Sequence, residues 1–219
     1  MTTRNKTPLV VAVVLVVVAI AAIVAVVAAR GDEPDATDGG AATSSPLPDE
    51  LAGELRPVVV EGSVLPPLGD PNNDPAVGLA APVLDGESFD GSAVTTASEG
   101  GPVMVVVLAH WCPHCNNEIP RLLELEDAGR FPDDLKIVGV STGVRADRPN
   151  FPPSDWIVES GWLWPVIADD VDFAGAEAFG VTAFPFMTVV DADGTVRARW
   201  SGESEPDDFM AKLDAALAG

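Results

Sequence analysis

The hydrophobic pattern along the chain divides it into three regions. Residues 9–29 are Val, Ala, Ile and Leu without a single charge. Residues 30–75 are rich in Pro, Gly, Ala, Ser and Asp and show no sustained period. From residue 76 onward, short apolar runs alternate with amphipathic stretches, which is typical of an α/β domain. We therefore expect one globular domain over residues 76–219.

Residues 9–29 have the length of a membrane-spanning helix. The run holds 21 residues, and at about 1.5 Å per residue such a helix crosses a hydrocarbon core of about 30 Å. Arg4 and Lys6 precede it, and basic flanks favour the cytoplasmic side. We expect residues 1–8 in the cytoplasm, a single-pass signal anchor in the cell membrane, and the rest of the chain outside. The alternative is a cleaved signal peptide, but the run exceeds the usual ~7–15 residues and Arg30 stands at the cleavage position.

The composition of residues 30–75 predicts a disordered tether, although Val58–Val60 leaves open a strand that packs on the domain. Within residues 76–219, wholly apolar runs predict buried strands and an apolar stripe at helical spacing predicts a helix. Asp85-Gly86 suits a two-residue turn, so we expect a small hairpin around it. The predicted strands are 103–108, 136–141, 166–168, 186–190 and 195–201, and the predicted helices are 113–128, 154–160, 173–179 and 206–217.

The charge balance excludes one class of partner. Twelve Lys and Arg residues against 34 Asp and Glu residues give a net charge of −22. Nucleic-acid binding requires clustered positive charge, so we expect no nucleic acid as a partner. An acidic surface of this kind mainly keeps a protein soluble.

The segment Trp111-Cys112-Pro113-His114-Cys115 carries most of the functional signal. It contains the only two cysteines of the chain, so they form one dithiol/disulfide couple. It also lies between a predicted strand and a predicted helix. The first sulfur then lies at a helix N-terminus, where the helix dipole favours a thiolate. We expect Cys112 to be the attacking nucleophile and Cys115 the thiol that resolves the mixed disulfide.

The two histidines of the chain flank this motif. His114 lies between the sulfurs and is expected to stabilise the Cys112 thiolate, which makes the disulfide more oxidising; the alternative is a solvated spacer. For His110 we expect a surface position and assign no role. A copper or zinc chaperone is the main alternative from another class, but one isolated Cys-x-x-Cys lacks the second ligand pair of a structural zinc site. We expect neither a metal nor a cofactor beyond the Cys112–Cys115 disulfide.

Over residues 76–219 the chain resembles the thioredoxin-fold, membrane-anchored thiol-disulfide oxidoreductases of the TlpA/ResA type. The Cys motif follows the central strand, and Pro120 lies five residues after the second cysteine. The segments 180–185 and 191–194 match the approach to the family's cis-proline and the turn between its last two strands. Residues 141–165 fit the central insertion of this branch. The resemblance implies a thioredoxin-like fold, a central mixed sheet flanked by helices.

The resemblance also implies roles for individual residues. The Phe184–Pro185 bond should be cis and face the cysteines, so that the backbone of Phe184 offers an edge to an extended client segment. Trp111 should cover the disulfide and, together with Phe184 and Pro185, bind the client. Glu118 should assist proton transfer at the cysteines, since the family carries a carboxylate at this position; the alternative is an exposed helix glutamate. Val106 stands where thioredoxin itself has a buried aspartate, so the role of that aspartate is either absent or taken by Glu118.

The sequence leaves two directions of electron flow open. The resemblance implies a reductase that keeps client cysteines reduced, for example before haem attachment to cytochromes, and that receives electrons from a membrane redox partner. The Pro113-His114 pair instead resembles the DsbA-type oxidants, which form disulfides. In both cases the partners are client proteins with cysteines.

Overall fold

The computed structural model describes residues 48–218, and a five-stranded mixed sheet lies at its centre. The strands are β1 Val59–Glu61, β2 Val83–Glu87, β3 Ala93–Thr95, β4 Val103–Leu108, β5 Lys136–Ser141, β6 Val166–Ala168, β7 Phe186–Val190 and β8 Val196–Ser201. The strand order in the central sheet is β6-β5-β4-β7-β8, with β4 parallel to β5 and antiparallel to β7. The helices are α1 Pro113–Asp127, α2 Pro153–Glu159, α3 Ala174–Ala178 and α4 Pro206–Leu217. This confirms the predicted α/β class.

The central strand β4 is buried on both faces and divides the core in two. Met104, Val106 and Leu108 face a cluster that includes apolar residues of α1, α2 and α4. Val103, Val105 and Val107 face a second cluster, formed with α3 and the segment before β2. The alternation follows from the two-residue period of a strand. All six side chains are fully buried, which explains why the sequence shows an unbroken apolar run.

The segment 48–75, assigned from its composition to the linker, belongs to the folded domain. Strand β1 pairs antiparallel with β2, which in turn pairs with β3 in a separate three-stranded sheet. Leu65 and Leu68 are buried, and their amides donate to the carbonyls of Ala178 and Gly180. A few apolar anchors among many Pro, Gly and Asp residues are enough to hold an irregular segment, and they leave no periodic signal.

The predicted hairpin turn at Asp85-Gly86 is wrong, because both residues lie inside β2. A Cβ atom at Gly86 would come within 2.8 Å of the Ile167 side chain, so the glycine is needed for close packing. The chain turns instead at residues 88–92, where Ser88 N–H donates to the Ser92 carbonyl.

The predicted membrane span, residues 9–29, lies outside the described residues. Within residues 48–218, no helix has the length and apolar character to cross a membrane.

Candidate active site

The two cysteines lie at the start of α1, shortly after the end of β4. Cys112 is the N-cap residue of α1, and Pro113 occupies the first helical position, where its missing N–H costs nothing. Cys112 is 5% exposed and Cys115 is fully buried. Both are free thiols in this structure. The pair therefore has an outer sulfur that can meet another molecule and an inner one that cannot.

The pKa values of the two thiols are driven apart. The hydrogen bond from the Cys115 thiol lowers the pKa of Cys112 to about 6, and the backbone N–H groups of Cys115 and His114 add to the effect. Burial raises the pKa of Cys115 well above its usual range, and the nearby charge of Glu118 raises it further. At neutral pH the pair thus holds one thiolate, on the outer sulfur, which is the form that attacks a disulfide.

The Phe184–Pro185 bond is cis and lies against the outer sulfur. Cys112 Sγ is 3.6 Å from the Phe184 carbonyl oxygen. The indole of Trp111 meets the Phe184 ring edge to face, with 5.9 Å between centroids. The structure therefore brings together the three residues expected to contact a client, and it places all of them beside Cys112.

A cavity of about 340 Å³ opens beside these two aromatic rings. Its other walls come from the loop after β5 and from α3 and the turn that follows it. The lining residues are Trp111, Thr142, Gly143, Arg145, Phe173, Ala176, Glu177, Val181 and Phe184. The lining is mostly apolar, and the Trp111 indole is fixed in it by a 2.8 Å hydrogen bond from Nε1 to the Gly143 carbonyl.

His114 points outward on the first turn of α1. Its side chain is 62% exposed, and Nδ1 lies 3.2 Å from a carboxylate oxygen of Glu203. When protonated, it contributes to the low pKa of Cys112, but less than the hydrogen bonds do. The nearby carboxylate offsets part of its charge.

Glu118 is fully buried one turn after Cys115. Its Oε2 accepts a 2.9 Å hydrogen bond from the Ser204 amide, and Arg121 lies 3.7 Å away. Burial raises the pKa of this carboxyl, more than the Ser204 bond and Arg121 lower it. Among the described residues, no hydrogen-bond donor reaches Oε1. A carboxyl group with a free oxygen is thus carried one helical turn beyond the inner cysteine.

His110, expected at the surface, is fully buried. Its Nδ1 lies 2.8 Å from the Pro149 carbonyl oxygen, and its Nε2 accepts a hydrogen bond from the Arg145 amide at 3.1 Å. The partners are 35 to 39 residues away, so the local sequence gives no sign of them. The one available hint is a polar residue directly after a wholly apolar run, residues 103–109.

No group of three or more His, Cys, Asp or Glu side chains converges as a metal site in the part of the chain that the structure describes.

Comparisons with known proteins agree with this geometry. The thiol:disulfide interchange protein DsbE of Escherichia coli (strain K12) is 27% identical over 143 residues, which cover 63% of this chain and 72% of that protein. A DsbE homolog of Paracoccus denitrificans is 28% identical over 158 residues, or 68% and 83% of the two chains. The crystal structure of a thioredoxin-family thiol:disulfide interchange protein from Chlorobium tepidum TLS superposes with a TM-score of 0.52 at 27% identity, covering 64% of this chain and 97% of that one.

The model of the AhpC/TSA family matches residues 73–199, more than half of the chain. This range includes the cysteine pair and the cis-proline. The predicted thioredoxin-like fold is thereby confirmed. The chain belongs to the AhpC/TSA family, and it is a thiol-disulfide oxidoreductase homologous to the DsbE and TlpA/ResA-like proteins.

Proposed function

We propose that this protein is a membrane-tethered, extracytoplasmic reductase of client-protein disulfides. The observation that carries the proposal is the separation of the two thiols. Cys112 has a pKa of about 6 and lies at the Phe184 edge, while Cys115 is buried behind it with a raised pKa. This is the arrangement for an attack by the outer sulfur followed by internal resolution.

In the first step, the Cys112 thiolate attacks one sulfur of a client disulfide. A Cys112–client bond forms, the client S–S bond breaks, and the released client sulfur leaves as a thiolate that takes up a proton. An extended client segment lies along the backbone of Phe184, with Trp111 and the cavity receiving side chains next to the client cysteine.

In the second step, Cys115 attacks the sulfur of Cys112 and releases the second client thiol. Two electrons have then passed from the pair to the client, and Cys112–Cys115 is a disulfide. Cys115 must lose its proton for this attack. On this proposal Glu118 accepts that proton, because its carboxyl group is buried, its pKa is raised, and its Oε1 is free of hydrogen bonds in the described structure.

The pKa of Cys112 favours the reductive direction. A stabilised thiolate makes a disulfide more oxidising, and the reference values are a pKa of about 7 for thioredoxin and about 3.5 for DsbA. A value of about 6 is closer to that of thioredoxin. The alternative, a DsbA-like oxidant, draws on His114, but that side chain is exposed and lies beside the Glu203 carboxylate.

The reductive cycle closes only if a donor returns two electrons to the Cys112–Cys115 disulfide. Residues 9–29 keep the domain at the membrane on this proposal, so the donor is a membrane redox protein. The full chain is expected to stay in the membrane fraction after alkaline extraction. A chain that lacks residues 1–47 is expected in the soluble fraction. Recovery of the full chain as a shorter soluble form would support signal-peptide cleavage instead.

Trapping of the mixed disulfide tests the proposed exchange with clients. The full chain carrying Cys115→Ala completes the first step but not the second, so it should accumulate disulfide-linked adducts on non-reducing gels. The matched control carries Cys112→Ala alone and keeps Cys115, whose buried thiol should trap none. Equal adducts in both would contradict the assignment of Cys112 as the attacking sulfur.

A further inference from the structure

One loop, residues 143–151, holds the buried His110 through both ring nitrogens. Nδ1 lies 2.8 Å from the Pro149 carbonyl oxygen and Nε2 lies 3.1 Å from the Arg145 amide nitrogen. A backbone amide only donates and a carbonyl only accepts, so Nδ1 carries the proton and Nε2 is the acceptor. Burial lowers the pKa of the imidazole and favours this neutral form.

The same loop also holds the residue next to His110. The Gly143 carbonyl accepts the indole N–H of Trp111 at 2.8 Å. Gly143 and Arg145 therefore tie one short stretch of loop to two consecutive residues, directly before the attacking cysteine. The side-chain amide of Asn150 adds a fourth hydrogen bond, to the His110 carbonyl at 2.8 Å.

This stretch of loop is a wall of the active-site cavity. Gly143 and Arg145 line it on one side, and Trp111 and Phe184 line it beside Cys112. The width of the cavity thus depends on how the loop is held against Trp111. Within the described structure, the acceptor for the Arg145 amide is the His110 side chain. Both ring nitrogens are engaged in hydrogen bonds with the loop, so neither is free to transfer a proton at the sulfurs.

We propose that His110 is a positioning residue for client recognition. By accepting a hydrogen bond from the Arg145 amide, it fixes the position of the loop that forms one wall of the cavity, and this cavity receives the apolar side chain next to a client cysteine. The inference rests on the client surface of the proposed function. His110 acts here through Arg145 and Trp111 and touches neither client nor sulfur. Its loss should therefore weaken the selection of clients and leave the redox chemistry of the cysteine pair as it is.

The test uses two disulfides with the same leaving group. One is a short synthetic peptide with a Phe next to its cysteine, linked through that cysteine to thionitrobenzoate; the other is free cysteine linked in the same way. The Cys112 thiolate forms a bond to the peptide or cysteine sulfur, and thionitrobenzoate leaves as the coloured thiolate with the electron pair of the broken bond. The ratio of the two second-order rate constants measures recognition beyond the sulfur.

Two substitutions separate the acceptor from simple packing. In His110→Gln the side-chain oxygen reaches the position of Nε2, so the bond to the Arg145 amide is kept. In His110→Asn an amide N–H replaces Nδ1–H, and the Arg145 amide loses its acceptor. We expect His110→Asn to lower the ratio about tenfold, through a higher half-saturating peptide concentration. His110→Gln should stay near the wild-type ratio, and both variants should keep the wild-type reduction potential.

If the ratio of rate constants in His110→Asn equals that of the wild-type chain, the inference is overturned. An equal fall of the ratio in His110→Asn and His110→Gln also overturns it, because it would indicate a packing effect alone. A wild-type chain without any preference for the peptide contradicts the proposed client surface, a separate failure. Should His110→Asn fail to fold, long-range ¹H–¹⁵N spectra of the wild-type chain decide: a proton on Nε2 would rule out the bond from Arg145, and a proton on Nδ1 supports it.

Discussion

At the scale of single residues, the site works through the contrast between two sulfurs three positions apart. The same hydrogen bond lowers the pKa of Cys112 and raises that of Cys115, because the inner thiol donates and the outer thiolate accepts. Burial then keeps the inner sulfur protonated until the outer one has reacted. The sequence alone predicts which cysteine attacks, since only Cys112 falls at the helix start. It does not predict that Cys115, rather than His114, contributes most to the low pKa, because that depends on side-chain directions.

Alkylation of Cys112 measures this contrast. The rate of reaction with iodoacetamide should rise with pH around a midpoint near 6, the pKa of Cys112, because only the thiolate reacts. Cys115→Ala should move the midpoint upward further than His114→Gln, since the hydrogen bond from Cys115 is the larger cause of the low pKa. A larger shift in His114→Gln would contradict this order and assign the main role to the imidazole.

Proton transfer through Glu118 is the second prediction at this scale. Glu118→Gln should slow the resolution of the mixed disulfide by roughly a hundredfold, as loss of a general base typically does. The alkylation midpoint of Cys112 should remain near 6 in this variant. The measurement is a single-turnover assay that follows the disappearance of the mixed disulfide. Glu124→Gln, an exposed position on the same helix, is the control, and an equal rate in the two variants would remove Glu118 from the mechanism.

At the scale of elements, the segment before the predicted domain is the main addition that the structure makes. Arg199 of β8 is fully buried and pairs with Asp74 at 2.8 Å through Nε, while its Nη1 donates to the carbonyls of Pro66 and Phe179. The long strands and helices follow from their apolar periods. This segment does not, because its ion pair with Arg199 and its hydrogen bonds to Ala178 and Gly180 join residues more than a hundred positions apart, and its composition is that of a linker.

Breaking that pair should destabilise the domain. Asp74→Asn leaves the guanidinium of Arg199 buried without its counter-charge, which typically costs about 3–5 kcal/mol in the free energy of unfolding. Glu61→Gln, at an exposed position of the same segment, should change it by less than about 0.5 kcal/mol. Urea denaturation of the two variants gives the comparison. Equal midpoints would show that residues 48–75 are not part of the cooperative fold.

The same pair predicts an acid dependence. Burial opposes ionisation of Asp74, but the hydrogen bonds from Arg199 and the Ala76 amide outweigh it and lower its pKa below 3.8. Protons then bind the unfolded chain more readily than the folded one. The stabilisation is complete above pH 3.8 and is lost as the pH falls through the folded pKa. The loss of stability with falling pH should be smaller in Asp74→Asn than in the wild-type chain, and an equal loss would exclude this residue as its source.

At the scale of the whole molecule, fold class and reaction type were accessible from the sequence, because the Cys motif, Pro120 and Pro185 occur in an informative order between apolar runs. The cavity and its wall were not accessible from the sequence, since only the folded chain brings Trp111 together with residues around 143 and 184. The surface position expected for His110 was wrong for the same reason: its burial depends on a loop that comes 33 residues later. The membrane anchor at residues 9–29 remains a prediction from hydropathy.

The reduction potential of the full, solubilised chain tests the central claim most directly. It is obtained by equilibrating the Cys112–Cys115 pair in glutathione buffers and quantifying the free thiols. Because the pKa of Cys112 is closer to that of thioredoxin, we expect a potential closer to about −270 mV than to about −120 mV. Such a value is that of a reductase. A potential near about −120 mV would contradict the account and make the protein an oxidant that forms disulfides in its clients.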